Sequence, residues 1–416
     1  MPSLEIGKST MNDDSLKGGS AMQRFSLFRK ILFLAVCTII VSFTTRARQT
    51  KHWVTAYYGG WQLCNGSNGY LPVSQVDFTA MTHVIHFALV PKPDGTLDTV
   101  GNSITWAGSH ALTKAAHAAG TKALVSLGGW NSESGFESAT RPARLSTFVM
   151  NILSLMAERG YDGIDVDWEP LNPNDYDLFR NFVKTLREGL GPKYLLTTTA
   201  GQGYGAVMSS IQQYVDQINI MTYDLSFPSP GWVSWYNGPL HQHGVRFEST
   251  GGAVPACDNI VDTFLQSGVS REKIGIGIEF GGSVWKGGLT SSRNGVTGPI
   301  QSWSVAPSIT PDVPYFTIMR SYYSPSRYHW DPDAKASYLS IDSTGSAGDC
   351  FITYDDSSDI AAKLEYVQRE RLGGVILYEL GMGYTGNGLN PFLDFVKRAS
   401  AASTPRRTPS EAASQR

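Results

Sequence analysis

The stretch "YDGIDVDWEP", from Tyr161 to Pro170, contains four acidic residues within eight positions. Acidic side chains are usually spread over a protein surface, where water solvates them. Here they alternate with Gly, Ile, Val and Trp, which is typical of a buried β-strand. Because the side chains of a strand alternate between its two faces, one face carries three carboxylates: Asp165, Asp167 and Glu169. Asp162 is out of this parity and lies at the start of the strand.

The rest of the chain alternates short apolar runs with helical patterns. Besides 162–169, the segments that predict strands are 53–58, 83–90, 122–129, 194–200, 217–224, 273–280 and 373–380. Helical periodicity is clearest after Pro142, where apolar residues recur at helical spacing. Eight strands with intervening helices predict an α/β fold, a (β/α)8 TIM barrel. A doubly wound open sheet is the alternative, but it usually has fewer strands and needs a switch in strand order.

One segment interrupts this alternation. Residues 287–350, between strand 7 and helix 7, have no helical period and are rich in Tyr, Trp, Ser and Gly. We predict that they form a small α+β insertion made mainly of antiparallel strands. The insertion is expected above the mouth of the barrel, where the loops that follow the strands carry the functional site.

The two ends of the chain are predicted to lie outside the barrel of residues 48–398. Basic residues precede the apolar run "ILFLAVCTIIVSF" (31–43), and small residues follow it, as in a secretory signal. The run is short for a membrane span, which needs about 20 apolar residues. Residues 1–47 therefore predict secretion or export to the periplasm, through a cleaved signal peptide or a retained N-terminal anchor. The small and polar residues 399–416 predict a disordered tail.

Composition restricts the classes of partner. The formal net charge of −2 gives no reason to expect nucleic acid or an anionic membrane surface as a partner. The 10 Trp and 19 Tyr suit either a sugar ligand or ordinary packing. Trp232, Trp235 and Trp285 are predicted, with equal weight, to be sugar platforms or loop anchors.

The carboxylates on one strand face, which we call the carboxylate column (Asp165, Asp167 and Glu169), predict acid–base chemistry. Neighbouring groups on such a face are about 6.6–7 Å apart. In a poorly solvated barrel they cannot all ionise, so they are expected to share protons and to titrate together. A carboxyl group that keeps its proton near neutral pH is what a general acid requires.

No metal site is predicted, and no cofactor. The cysteines beyond the N-terminal segment are not at zinc-ligand spacing; they allow one disulfide without indicating the pair, among Cys64, Cys257 and Cys350. A calcium loop that starts at Asp165 would need Gly at its sixth position and Glu at its twelfth, where Pro170 and Tyr176 stand. A magnesium site formed by two carboxylates is the remaining alternative to the acid–base interpretation.

Several motifs together resemble glycoside hydrolase family 18, the chitinases and their relatives. "DGIDVDWE" (162–169) resembles the D-x-x-D-x-D-x-E signature of that family, "SLGGW" (126–130) its S-x-G-G motif and "MTYD" (221–224) its M-x-Y-D motif. The segments "AYYGGW" and "HVIHFAL" and the C-terminal part of the barrel are also similar to the family. The resemblance extends over roughly residues 52–398 with the motifs in barrel order.

The resemblance implies a role for each matching residue. Glu169 would protonate the glycosidic oxygen and later activate water, while the N-acetyl oxygen of the substrate attacks the sugar and configuration is retained. Asp167 would orient the acetamido group and stabilise its positive charge, Asp165 would share a proton with Asp167, and Tyr223 would hold the acetamido oxygen in line. The resemblance also implies a set of substrate-binding residues: Tyr57, Phe87, Ser126, Gly129, Trp130, Met221, Asp224 and Tyr378.

Tyr378 departs from the family pattern, which usually has Trp at the end of the eighth strand as the floor beneath the sugar. Tyr has a smaller stacking face and an added hydroxyl, so either the affinity for sugar differs or the change is a harmless aromatic exchange. Ser126 is not part of a G-x-S-x-G nucleophile elbow, and we predict that it is a hydrogen-bond partner of the aspartates.

The predicted function is retaining hydrolysis of β-1,4 linkages between N-acetylglucosamine units in chitin or its oligosaccharides, by a monomer. One alternative is an endo-β-N-acetylglucosaminidase that acts on N-glycans or peptidoglycan-related sugars. The other is a chitin-binding lectin without activity, but such relatives typically lack the glutamate that Glu169 provides here. The sequence leaves open endo against exo action and the preferred chain length.

Overall fold

The computed structural model describes residues 52–64, 70–292 and 294–402. The predicted targeting segment 1–47 and nearly all of the predicted tail lie outside these residues. Within the described ranges, no helix has both the length and the apolar character needed to cross a membrane.

Eight parallel strands close into a barrel, as predicted, because the first strand pairs with both the second and the last. We label them β1 to β8, with these bounds: Trp53–Gly59, His83–Pro91, Lys122–Gly129, Gly163–Trp168, Leu195–Ala200, Gln217–Ile220, Ile274–Glu279 and Gly374–Tyr378. β6 is shorter than predicted, since it ends at Ile220 and leaves the motif "MTYD" in the segment that follows the strand. The other seven strands end within two residues of their predicted bounds.

Nine α-helices of the described residues, α1 to α9, follow the strands or belong to the insertion. Their bounds are Trp106–Ala118, Glu133–Ala139, Pro142–Arg159, Tyr176–Leu190, Gly205–Ile211, Cys257–Gln266, Tyr315–Ser321, Ser357–Glu370 and Pro391–Ala402. Short 3-10 helices lie at 60–64, 73–75, 78–80, 173–175, 271–273 and 346–348. Helix α3 starts at a proline in its first turn and ends at Gly160, whose φ of 76° is the left-handed conformation that terminates a helix.

The insertion between β7 and α8 has the antiparallel structure that the sequence predicts. Its five-stranded sheet has the spatial order Ser308–Pro314, Gly281–Lys286, Cys350–Tyr354, Ala336–Ile341 and Tyr328–Asp331. A separate two-stranded sheet pairs Leu289–Thr290 with Trp303–Val305. The sheet begins directly after β7, at Gly281, so its first strand continues the chain from the barrel mouth.

Burial separates the outer core from the barrel interior. The outward-facing residues of β4 pack in the layer between barrel and helices, where the Trp168 ring stacks on Phe136 with 4.6 Å between ring centroids. A smaller cluster fills the inside of the barrel: Tyr57, Ile85, Leu124, Tyr223 and Ile376. The parity predicted for β4 therefore directs its apolar side chains outward and its carboxylates into the barrel.

Two side-chain groups settle questions that the sequence left open. Cys257 and Cys350 are both buried free thiols, so neither contributes to a disulfide.

Trp235 and Trp285 are fully buried in the core of the insertion and its neighbouring loop, where they anchor those segments and are inaccessible to a sugar. Trp232 is partly buried against the same core and stacks on Phe247, with 4.4 Å between centroids.

Candidate active site

The innermost member of the carboxylate column is Asp165, which is fully buried. Its Oδ2 atom accepts hydrogen bonds from the hydroxyls of Ser126 at 2.9 Å and Tyr57 at 3.2 Å, and its Oδ1 atom accepts one from Thr197 at 2.6 Å. Burial raises the pKa of Asp165, and these three hydrogen bonds oppose the increase. The predicted partnership between Ser126 and the aspartates is thus present in the structure.

Asp167 lies one step closer to the mouth of the barrel and is 3% exposed. Its Oδ1 atom accepts a hydrogen bond from the Thr199 hydroxyl, and its carboxyl group is hydrogen-bonded to that of Glu169. Burial raises the pKa of Asp167 well above its usual value, and the charges of Glu169 and Asp165 add to the increase. The hydrogen bond between the two carboxyl groups favours a proton on Asp167.

Glu169 follows β4 and is the half-buried end of the column. Burial raises its pKa, the hydrogen bond with Asp167 opposes the increase, and the charge of Asp312 adds to it. Ser132 fixes the backbone beside it, since its N–H donates to the Glu169 carbonyl at 2.9 Å. Glu169 is therefore the one member of the column that combines access to solvent with a strengthened hold on its proton.

Aromatic side chains line the barrel beside the column. Tyr223 and Tyr378 stack with 5.7 Å between ring centroids and an interplanar angle of 19°. Phe87 meets Tyr57 and Tyr378 edge to face, with 5.8 and 5.9 Å between centroids. Met221 packs against this interior cluster and is partly exposed. Side chains from the motifs at β1, β2, β6 and β8 therefore meet on one wall of the barrel interior.

Two further predicted residues lie at the open end. Trp130, directly after β3, is 73% exposed, so its ring is available as a flat apolar platform. The Asp224 side chain borders solvent, yet the surrounding walls displace enough water to raise its pKa to about 7, and the charges of Asp312 and Glu169 add to this increase. The mouth of the barrel therefore combines an exposed indole with a cluster of carboxyl groups.

The sequence matches the family model of Glycosyl hydrolases family 18 over residues 54–383. The chain belongs to this family. Chitinase A1 of Niallia circulans is 27% identical over 290 residues, which cover 62% of this chain and 40% of that protein. Chitinase B of Serratia marcescens is 26% identical over 349 residues, covering 67% of this chain and 68% of that protein. The chain spans about two fifths of the length of the first of these relatives.

Solved structures show the family 18 fold in the same way. The Group IV chitinase of Ostrinia furnacalis, in complex with allosamidin, has a TM-score of 0.70 at 22% identity and covers 84% of this chain and 99% of its own. A family 18 N-acetylglucosaminidase from Paenibacillus barengoltzii has a TM-score of 0.68 at 23% identity, with the same two coverages. The resemblance inferred from the motifs is confirmed by the family match.

In this family 18 chain, sequence reasoning missed several polar residues that contact the site. Thr197 and Thr199 on β5 donate to Asp165 and Asp167. The signal is the run of three threonines in "LLTTTA", because alternation along the strand puts the first and third on the same, inward face. Tyr204 accepts a hydrogen bond from the Leu171 backbone N–H at 3.0 Å and lies close enough to Glu169 for their charges to interact. No comparable pattern marks Tyr204 in the sequence.

The glycine pair of the family 18 motif "SLGGW" leaves space for the column. Gly128 has a φ of 113°, and a Cβ atom there would lie 2.0 Å from the Asp167 carbonyl oxygen. Gly129 has a φ of 94°, and its Cβ would lie 2.9 Å from the tip of the Phe87 ring. Only glycine allows β3 to approach β4 and Phe87 this closely.

We expect Gly128→Ala to lower the free energy of unfolding by about 3 kcal/mol, through backbone strain and the clash with Asp167. Gly120→Ala is the matched control, because Gly120 also has a positive φ, 79°, but its Cβ would meet nothing within 4 Å. That control is expected to cost about 1 kcal/mol. Urea unfolding of both variants measures the difference, and equal losses would show that close approach to Asp167 is not what requires glycine.

Proposed function

We propose that the protein hydrolyses β-1,4 linkages between N-acetylglucosamine units of chitin or chitin oligosaccharides, with retention of configuration. The observation that carries the proposal is the carboxylate column, in which Glu169 alone reaches the cleft and Asp167 is buried behind it. A carboxylate nucleophile must contact the anomeric carbon of the sugar. Asp167 lies beneath Glu169, where we place the acetamido group of the substrate and not its anomeric carbon against it, and this supports attack by the acetamido oxygen.

Proton movement along the column supplies the acid. In the free protein the hydrogen bond between Asp167 and Glu169 favours the proton on Asp167. When the acetamido N–H of a substrate donates to Asp167, that hydrogen bond stabilises the ionised form of the Asp167 carboxyl group, and its proton passes to Glu169. Glu169 then protonates the glycosidic oxygen, and the bond to the leaving sugar breaks as the acetamido oxygen closes on the anomeric carbon. Water, deprotonated by Glu169, opens the resulting oxazolinium ring.

The remaining parts of the column and wall stabilise this intermediate. Anionic Asp167 lies beside the positive charge that develops on the acetamido group, and Thr199 keeps its carboxylate in place. Asp165 forms the base of the column. The three hydroxyls that donate hydrogen bonds to it stabilise negative charge there. The Tyr223 hydroxyl would fix the acetamido oxygen in line with the anomeric carbon, which is an orientation effect.

The insertion favours a polymeric substrate. Asp312 belongs to the insertion, and its charge acts on Glu169 and Asp224, so the insertion forms one wall of the cleft above the barrel. A cleft with two walls holds several sugar units of a chain at once. The curated relatives named above are chitinases, which agrees with this substrate class.

Product analysis tests the proposal directly. With N-acetylglucosamine tetra- to hexasaccharides, proton NMR of early products should show the β-anomer at the new reducing end. An initial α-anomer would mean inversion and would exclude the acetamido mechanism. A high-mannose glycopeptide serves as the competing substrate, and cleavage of it in preference to chitin oligosaccharides would replace the chitinase proposal by the endo-β-N-acetylglucosaminidase alternative.

Tyr378 gives a prediction about sugar stacking. Because its ring is stacked on Tyr223 at the site, Tyr378→Trp should enlarge the apolar face and leave KM for chitin oligosaccharides unchanged or lower it by up to about tenfold. Steady-state kinetics on a defined oligosaccharide measure this effect. A large loss of kcat in the Trp variant, reproduced in Tyr378→Phe, would show instead that the Tyr378 hydroxyl has its own function.

We also propose that the protein acts outside the cytoplasm as a monomer. The support is the basic and apolar sequence of residues 1–47, together with a substrate that is an extracellular polymer. Expression in a secreting host, with N-terminal sequencing of the protein in the medium and light scattering, tests both statements. Retention of the full-length chain in the membrane fraction would favour the anchor.

A further inference from the structure

Three carboxyl groups from separate parts of the chain meet at the mouth of the barrel. Asp224 follows β6, Glu279 is the last residue of β7, and Asp312 comes from the insertion strand Ser308–Pro314. One oxygen of each carboxylate lies within 4.8 Å of an oxygen of each of the others. We call these residues the acidic triad.

Glu279 is the buried member of the acidic triad, with 1% of its surface exposed. Its Oε2 atom accepts a hydrogen bond from the Asn237 amide, which is held in turn by a 2.9 Å hydrogen bond from the Ser283 hydroxyl. Its Oε1 atom is also buried and has no hydrogen-bond partner among the described residues. A buried carboxylate oxygen without a donor is costly, so this atom indicates a missing ligand.

No basic side chain of the described ranges forms a salt bridge with the acidic triad; the ion pairs that the structure contains involve other residues. Burial raises the pKa of Glu279 well above its usual value, and the charges of Asp224 and Asp312 raise it further. The three groups therefore repel one another in the absence of a cation. Protonation relieves this repulsion at low pH, and a bound cation would relieve it near neutral pH.

The geometry suits a small ion with oxygen ligands. For three oxygens with mutual separations of 4.8 Å or less, one point lies within about 2.8 Å of them all, and modest side-chain rotation brings this to the 2.3–2.6 Å typical of calcium. The ligand set contains only carboxylates, which favour Ca²⁺, Mg²⁺ or Mn²⁺ over zinc. An amino group carried on a sugar ring is a poorer match, because Glu279 is too deeply buried for a bulky ligand to reach.

We propose that Asp224, Glu279 and Asp312 bind one divalent cation at the mouth of the barrel, with water completing its coordination. The cation takes no part in the bond-breaking steps proposed above, and the inference does not depend on that function, although Asp224 is also one of the residues that the family resemblance assigns to substrate binding. Its effect is electrostatic, since it neutralises the carboxylates that face Asp224 and joins the insertion to the ends of β6 and β7.

Isothermal titration calorimetry of the full chain, after removal of bound metal with EDTA and dialysis, tests the inference. CaCl2, MgCl2 and MnCl2 are titrated separately near pH 7.5. We expect one site per chain for at least one of these ions, and at least about a tenfold weaker affinity in Asp312→Asn. Asp342→Asn is the matched control, because Asp342 is an exposed aspartate of the same insertion outside the triad. It should bind like the wild type.

Glu279→Gln separates binding from folding. The neutral amide keeps an oxygen for Asn237 and removes the repulsion, so the variant should melt at a higher temperature than the metal-free wild type at pH 7.5. Added cation should raise the melting temperature of the wild type and leave that of Glu279→Gln unchanged. The proposal is overturned if none of the three ions binds at millimolar concentration, or if both Asp312→Asn and Glu279→Gln bind as the wild type does. It is also overturned if only a glucosamine oligosaccharide binds to the triad.

Discussion

Replacing Glu169 with Gln should lower kcat for chitin oligosaccharides by about 10²- to 10⁴-fold, the usual contribution of a general acid–base group. Gln has the same shape as Glu but cannot give a proton to the glycosidic oxygen or take one from water. Because the side chain remains half-buried beside Asp167, binding of the oligosaccharide should be largely retained. Initial rates and titration calorimetry on the same oligosaccharide separate the two effects.

Glu158→Gln is the control, since Glu158 is an exposed glutamate on α3 and should leave both quantities unchanged. A substrate with an acidic leaving group, such as a 4-methylumbelliferyl glycoside, needs little protonation and should partly restore bond cleavage in Glu169→Gln. Turnover of chitin oligosaccharides near the wild-type rate would contradict the assignment of Glu169 as the acid.

The pH dependence of activity also tests Glu169 as the acid, and the direction of the expected shift follows from the direction of its pKa change. An acid must hold its proton to act, and burial together with the charge of Asp312 raises the pKa of Glu169. Activity should therefore be lost, on the basic side of the profile, at a pH above the ordinary pKa of a glutamate side chain, which is about 4.3. In protein freed of divalent cations, Asp312→Asn removes one cause of this increase, so its basic limb should shift to lower pH.

The positions of the barrel and of the column could be predicted because both depend on local patterns. Alternation within 162–169 directs the apolar residues into the outer layer, since each buried side chain there stabilises the fold by about 1.5–3 kcal/mol. A shift of one residue would turn all of them towards the barrel interior and place the three carboxylates in the apolar layer between barrel and helices. Because of this energetic penalty, the inward and outward faces of β4 could be assigned from the sequence of that strand alone.

The acidic triad and the end of β6 could not be predicted, because they depend on contacts between distant segments. Asp312 faces Asp224 across 88 positions of sequence, at an irregularity in the pairing of its strand between Thr310 and Val313. Nothing local marks Glu279 as different from an ordinary strand residue. β6 ends at Ile220 because the next residues turn inward to pack against the barrel interior, where Tyr223 meets Tyr378.

Asp167→Asn should lower kcat by about 10²- to 10³-fold, the effect typical of removing one group that stabilises charge in a transition state. Asn can still accept the acetamido N–H, but it has no negative charge to offset the oxazolinium ion. It also cannot return a proton to Glu169, so the supply of acid from the column is interrupted. KM should change much less than kcat, because the lost interaction strengthens only as the positive charge develops.

Substrate chemistry distinguishes Asp167→Asn from Glu169→Gln. An acidic leaving group removes the need for protonation but not the need to stabilise the oxazolinium ion, so 4-methylumbelliferyl glycosides should restore much less activity in Asp167→Asn. Asp162→Asn is the control within the same segment, since Asp162 is outside the column and binds His117 and Lys122 at 2.7 and 2.9 Å. It should lower the melting temperature and leave kcat unchanged. If Asp167→Asn and Asp162→Asn had equal kcat values, acetamido-assisted catalysis through Asp167 would be wrong.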